Sequence, residues 1–305
     1  MAAPDPQVLT AREVPLGGTR DMLVNRSLPN RDIRTIGAFC FVDHYGPAPV
    51  TGPDAHPMVV PPHPHCGLQT VSWLLAGDVE HRDSVGSVQR ITPGELNLMT
   101  AGEGIAHSEY SVGSGDLHGL QLWVALPDAA RHQPPHFEHH SDLPEVNVDG
   151  IAVRIVMGEV AGQKSPAALY SPLVCAELRI ASGSSEFPLD PAFEHGLLLA
   201  SGDLAVDGVP VQRSALYYLP EGTPACRLSS EAGATVLLIG GEPFGEELLM
   251  WWNFVGRTHD EIVQAREDWE ASVRFGAVVA DARPPLPAPD LPMVHLKPRP
   301  GRRHG

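Results

Sequence analysis

No stretch of this 305-residue chain approaches the roughly 18 consecutive apolar residues that a membrane-spanning helix needs, so no membrane span is expected. The first residues, MAAPDPQVLTAREVP, lack a basic region followed by an apolar core, which points away from secretion and towards the cytoplasm. Cations are scarce. Lys+Arg number 21 against 37 Asp+Glu, a formal charge of −16 that repels phosphate backbones and anionic lipid and argues against direct nucleic-acid binding. Cysteine is scarce too: Cys40, Cys66, Cys175 and Cys226 are scattered without C-x-x-C spacing and read as free thiols. Helical periodicity is also sparse, with one convincing stretch near the end of the chain.

What the chain does have is short apolar runs punctuated by turn residues. Gly 30 and Pro 31 are too few for disorder but suit many strands joined by tight turns, and 43% hydrophobic content is enough for packed cores. The length suggests two domains of about 100–150 residues each. A first β-rich unit is expected over residues 1–135, with GLQLWVALP as its closing strand and the proline- and histidine-rich HQPPHFEHHSDLPE as a linker. From about residue 148 the pattern restarts with VRIVMGEV, LVCAELRI and HGLLLASGDLAVDG, an internal duplication that places a second β unit over 136–285.

Two short histidine pairs carry the chemistry. Alternate side chains of a strand share a face, so His63 and His65 of PPHPH point the same way, and His107 and Glu109 of AHSEY repeat the geometry. Placed across a small barrel from each other, the pairs would bring three imidazoles and a carboxylate to one point. That donor set suits one divalent transition metal, Fe(II), Mn, Ni, Cu or Zn, with positions left for substrate. Pro64 belongs at a strand start, an edge or a bulge, because it cannot donate to the ladder. Either pair alone would be weak, since short His-x-His matches arise by chance in a chain with 15 histidines. His44 reads as a hydrogen-bonded strand residue. His81 reads as structural or as a support to the ligands, because its neighbour Glu80 must face the other way.

Taken together, PHPHCGLQTVSWLL, EHRDSVGS, TPGELNLMTAGEGIAHSEYS and GLQLWVALP resemble the pirin family in order and spacing, and GAFCFVDHYGP, VRIVMGEVAGQKSP and LLIGGEP extend the likeness over nearly the whole chain. The resemblance implies an all-β fold: two cupin (jelly-roll) barrels in tandem, one short C-terminal helix and a Pro-rich tail over 286–305. It implies one metal, iron foremost, held by His63, His65, His107 and Glu109 in the first barrel. The second barrel has EHG where the first has HPH, so His195 stands alone there and no metal is expected. Two positions depart from the family pattern: Cys66 replaces a basic residue and Gln69 a glutamate. Gln69 lies at even spacing from His65 and is therefore expected on the ligand face, to orient rather than to ligate. The implied activity is a quercetin 2,3-dioxygenase, cleaving a small flavonol-like aromatic with O₂ and releasing carbon monoxide, with Glu109 as the nearest base. The alternative the resemblance carries is a metal-binding regulator of a protein partner.

In GRTHDEIVQAREDWE, Thr258 and Glu261 have capping-box spacing while Ile262, Ala265 and Trp269 fall on one face, so a capped helix docked on a barrel is expected. The Pro-rich tail beyond it is expected to be solvated, ending in a small basic cluster.

Overall fold

Strands fill the computed structural model, which describes residues 5–16, 22–53 and 55–302. The final residues of the terminal basic cluster lie outside the described residues. All ladders between named strands are antiparallel, and they form two barrels, each of a seven-stranded and a four-stranded sheet. In the first barrel Leu68–Ala76, Asp116–Ala125 and Phe39–Pro49 are central to the large sheet. The small sheet runs in the order Val59–His65, Ile105–Val112, Asp78–Asp83 and Val88–Ile91. The second barrel repeats this plan, with Glu194–Gly202, Ala234–Gly241 and Leu173–Ile180 at the centre of its large sheet. No helix among the described residues is long and apolar enough to cross a membrane.

The two large sheets pack face to face. Phe39, Val71, Trp73, Leu120 and Leu122 of the first form one buried cluster with Cys175, Leu198, Leu237 and Ile239 of the second. Burying both faces explains why these strands read as nearly unbroken apolar runs. Several polar groups in this layer are paired: Trp73 Nε1 donates to Glu177 at 2.9 Å, and His44 bridges Ser214 Oγ at 2.7 Å and His118 Nε2 at 2.8 Å. His44 is thus the hydrogen-bonded strand histidine its sequence suggested.

Three features of connectivity differ from expectation. Asp116–Ala125 does not end the first sheet, because His136–His140 adds to its edge beside Leu96–Thr100. The segment read as a linker is a strand, its histidines bonded to Asn97 and Glu138 rather than solvated. Gln7–Leu9 crosses to the second barrel, pairing with Leu216–Leu219. The tail, read as solvated, is strapped to the body: Leu286 N donates to Pro62 O, Arg299 and Leu248 exchange backbone bonds, and Gly301 O accepts from Arg34 N and Thr35 N. A proline-rich segment loses little entropy on such docking, which composition alone does not register.

The helix spans His259–Glu270, with the Thr258 side chain accepting from Glu261 N at 3.3 Å. Glu261 reaches back one residue further than a capping box requires, to Arg257 N. Its buried Ile262, Ala265 and Trp269 pack with Cys66, Ala106, Phe254 and Phe275, which sets the helix behind the histidine strands of the first barrel.

Candidate metal centre

His63 and His107 are directly paired across neighbouring strands, Val59–His65 and Ile105–Val112. The expectation that the two ligand pairs face each other from opposite walls is therefore corrected: they sit side by side on the small sheet. The ladder slips after His107, which opposes His63, so that Glu109 opposes Val60. Pro61 and Pro62 occupy that slip, where neither could donate to a ladder, and Val59–His65 is a sheet edge, as Pro64 requires. Gly67, in the left-handed region at φ 73°, then turns the chain out of the small sheet; a Cβ there would lie 2.0 Å from Val255 O.

The three imidazoles converge. Their ring centroids are 4.4–4.9 Å apart, and one nitrogen from each lies within 4.8 Å of the others. Each ring is oriented through Nδ1. His63 Nδ1 meets Pro61 O at 2.9 Å and His65 Nδ1 meets Asn253 O at 3.2 Å. A carbonyl only accepts, so both rings carry the proton on Nδ1 and present a lone pair on Nε2. His107 reaches the same state through a relay. Its Nδ1 lies 3.3 Å from His81 Nδ1, and His81 Nε2 lies 3.1 Å from Asp83 Oδ2. The Asp83 carboxylate accepts from His81 Nε2–H, which leaves His81 Nδ1 to accept from His107 Nδ1–H. His107 Nε2 is left buried with no hydrogen-bond partner. A buried lone pair without a donor is costly, and a metal ion satisfies it.

Glu109 is placed differently. Its carboxylate clusters with His81 and His107 rather than with His63, His65 and His107 at once, yet it lines the same cavity. Ser72 Oγ is 3.0 Å from both Glu109 Oε1 and Gln121 Oε1. Both are acceptors, so the single Ser72 hydroxyl proton lies between the Glu109 carboxylate and the Gln121 amide oxygen. Burial pushes the Glu109 carboxyl above the usual carboxylate range, against the lowering effect of the Ser72 bond. Burial holds His63 down to about 4, and His65 and His107 well below the ordinary histidine value, so all three are neutral at pH 7. Neutral imidazoles are the ligating form.

The Gln69 expectation fails. Gly67 and a new strand intervene, and even spacing from His65 no longer fixes its face. Gln69 is buried on the side of Val71 and Trp73, donating to Thr100 Oγ1 at 2.9 Å and to Ala168 O at 3.4 Å. Ser72 and Gln121, from neighbouring strands at paired positions, support Glu109 instead. Asp83 was also missed, although Val79, His81 and Asp83 alternate inward in DVEHRD and would have flagged it.

The three histidines and Glu109 open onto a cavity of about 760 Å³. One wall is aromatic, with Phe41 and Trp123 stacked at 4.1 Å, and Arg26 lies 4.2 Å over Phe41. Trp252, Asn253 and the tail residues Leu286, Pro287 and Pro289 also line the cavity. Both groups of side chains able to hold a metal among the described residues contain His107, so they form one centre in the first barrel. Three neutral nitrogens with a nearby carboxylate fit a divalent transition metal.

The profile of the Pirin family matches residues 21–124, and that of the Pirin C-terminal cupin domain matches residues 176–276. Over 289 residues the chain is 45% identical to a Pseudomonas aeruginosa protein named "Putative quercetin 2,3-dioxygenase", covering 94% of this chain and 90% of that one. It superposes on the crystal structure of quercetin 2,3-dioxygenase from Acinetobacter baumannii with a TM-score of 0.90 and 39% identity, covering 96% of this chain and 98% of that chain. A bacterial pirin from Escherichia coli in complex with nickel(II) shares the fold alone, with a TM-score of 0.57 and 18% identity over 78% of this chain and 99% of that one.

Proposed function

We propose that this chain, which belongs to the pirin family of two-barrel cupins, is a quercetin 2,3-dioxygenase-type oxidoreductase of the cytoplasm. In this reading one iron(II) ion is held by His63, His65, His107 and Glu109. The observation that carries it is the common orientation of the three buried imidazoles, each fixed through Nδ1 so that Nε2 faces a cavity with an aromatic wall. When bound, the metal supplies the Lewis acidity and one-electron chemistry that let a flavonol enolate react with O₂.

The chain's own residues do the rest. Glu109, buried and more basic than an ordinary carboxylate, takes the proton of the flavonol 3-hydroxyl, and Ser72 holds the carboxylate in place. The stacked Phe41 and Trp123 give a planar substrate a flat surface. The apolar Leu286, Pro287 and Trp252 line the cavity and limit water around the reacting enolate. Both oxygen atoms of O₂ enter the ring-opened ester, and the excised ring carbon leaves as carbon monoxide. The test is turnover of quercetin in air by iron-loaded protein, read as loss of flavonol absorbance together with released carbon monoxide. Consumption with carbon monoxide above the metal-free control supports this reading. Its absence would overturn it and favour a regulatory role on a protein partner.

A further inference from the structure

A cavity of about 900 Å³ lies apart from the metal centre. It is an open trough between the Pro29–Thr35 loop, Leu248–Met250 and the tail from Val294 to Arg299. Arg12, Arg31, Arg34, Lys297 and Arg299 line it together with His295, and no Asp or Glu does. In a chain with 37 acidic residues against 21 basic ones, this is a concentration of one sign against the overall balance. Several arginines outside the trough are matched to carboxylates, as Arg26 is to Asp43, Arg90 to Asp78 and Arg257 to Glu246. Arg31, Lys297 and Arg299 are exposed and enter no ion pair among the described residues.

The trough is also preformed. Arg12 donates to Pro29 O at 2.9 Å, and Arg34 donates to Pro300 O at 3.1 Å, which fixes two guanidiniums on its walls. Two backbone bonds of 2.9 Å between Leu248 and Arg299, and one from Leu296 N to His259 Nδ1 at 3.2 Å, hold the tail that forms the other side. Its floor is apolar, with Leu248 and Leu249 buried and Leu296 and Met250 partly so.

We propose that this trough binds a small organic di- or polyphosphate. Clustered like charges repel until an anion neutralises them, and guanidinium forks match phosphate oxygens in pairs. The apolar floor suits the organic portion, and the volume is that of a small-molecule site. A nucleic acid is disfavoured because a long polyanion would extend from the trough over a surface of net negative charge.

The experiment is calorimetric titration of the metal-loaded full chain with adenosine diphosphate. Wild type is compared with Arg31→Glu/Arg299→Glu and with Lys164→Glu/Arg227→Glu, which changes net charge equally at exposed sites outside the trough. Saturable binding of one nucleotide per chain is expected, tenfold or more weaker in the first variant and within twofold in the second. The single Lys297→Glu variant should show a smaller loss of the same kind, and metal content in all variants should equal wild type. No saturable binding at about 1 mM ligand, equal weakening in both double variants, or full binding in the trough variant, which would put the phosphates on the metal, would each overturn the proposal. Tighter binding of a single-stranded oligonucleotide than of adenosine diphosphate would overturn it as well.

Discussion

Asp83→Asn should weaken metal binding although it touches no ligand. Asp83 Oδ1 accepts from Val85 N at 3.0 Å and Ser87 N at 2.9 Å, contacts that an asparagine oxygen keeps, so the local turn survives. The change falls on the other atom. The asparagine NH₂ now donates to His81 Nε2, which moves the His81 proton to Nδ1 and turns it towards His107 Nδ1. His107 must then accept there and carry its proton on Nε2, the atom that should face the metal. Ligation is recovered only by breaking one buried hydrogen bond in the relay, at a cost of about 1–3 kcal/mol, or roughly 5- to 150-fold in affinity. Outer partners of ligating histidines elsewhere are worth a similar 10- to 100-fold. The assay is competition for the metal against a chelator of known affinity, with the unfolding midpoint of metal-free protein as a control. Affinity within twofold of wild type would refute the proton assignment along Asp83, His81 and His107.

Glu109→Gln should retain part of the metal but lower quercetin turnover per bound metal by roughly 10²- to 10⁴-fold, because the amide is not a base; unchanged turnover would remove Glu109 from that role. Gln69→Ala should keep its metal and lose stability instead, by about 1–3 kcal/mol, since Thr100 Oγ1 and Ala168 O lose a buried donor; elemental analysis and urea unfolding separate the two effects. Burial holds His44 down to about 3 and His118 to about 4, whereas in the unfolded chain both take up protons near pH 6.5. Below pH 6.5 the unfolded state therefore binds more protons, so stability is full above that value and falls as pH drops towards 4. A urea midpoint for metal-free protein that is equal or higher at pH 5.5 than at pH 7.5 would contradict this. Trp269→Ala should cost about 3–5 kcal/mol, read from urea unfolding, because the ring fills the helix cluster and its Nε1 donates to Leu286 O at 2.9 Å, tying down the tail where it lines the cavity.

Much of the centre was legible because it is local. A period of two puts His63 beside His65 on one face, and the structure brings both to His107. The helix was legible for the same reason, its cap and apolar face lying within a dozen residues. Local spacing failed wherever the chain changes sheet. Gly67 separates Gln69 from the histidine strand, so counting from His65 assigned it the wrong face. The pairing of the two ligand strands depends on which strands meet across long connections, and no periodicity encodes that. The tail's prolines looked like solvated chain, because its anchors, Pro62 O, Leu248 and the Trp269 indole, are distant in sequence. Asp83 and Ser72 were hidden differently. Their roles exist only through His81 and Glu109: the inward alternation of DVEHRD marks Asp83 as buried but not as the partner of His81, and a serine in a strand is too common to stand out.

Elemental analysis of the purified chain and its His65→Ala variant tests the centre most directly. One transition metal per wild-type chain is expected, with the variant nearly empty while its circular dichroism stays β-rich, because losing one of three nitrogens costs affinity far more than distant packing. A stoichiometry near two, or metal retained in the variant, would mean that the ion is held elsewhere.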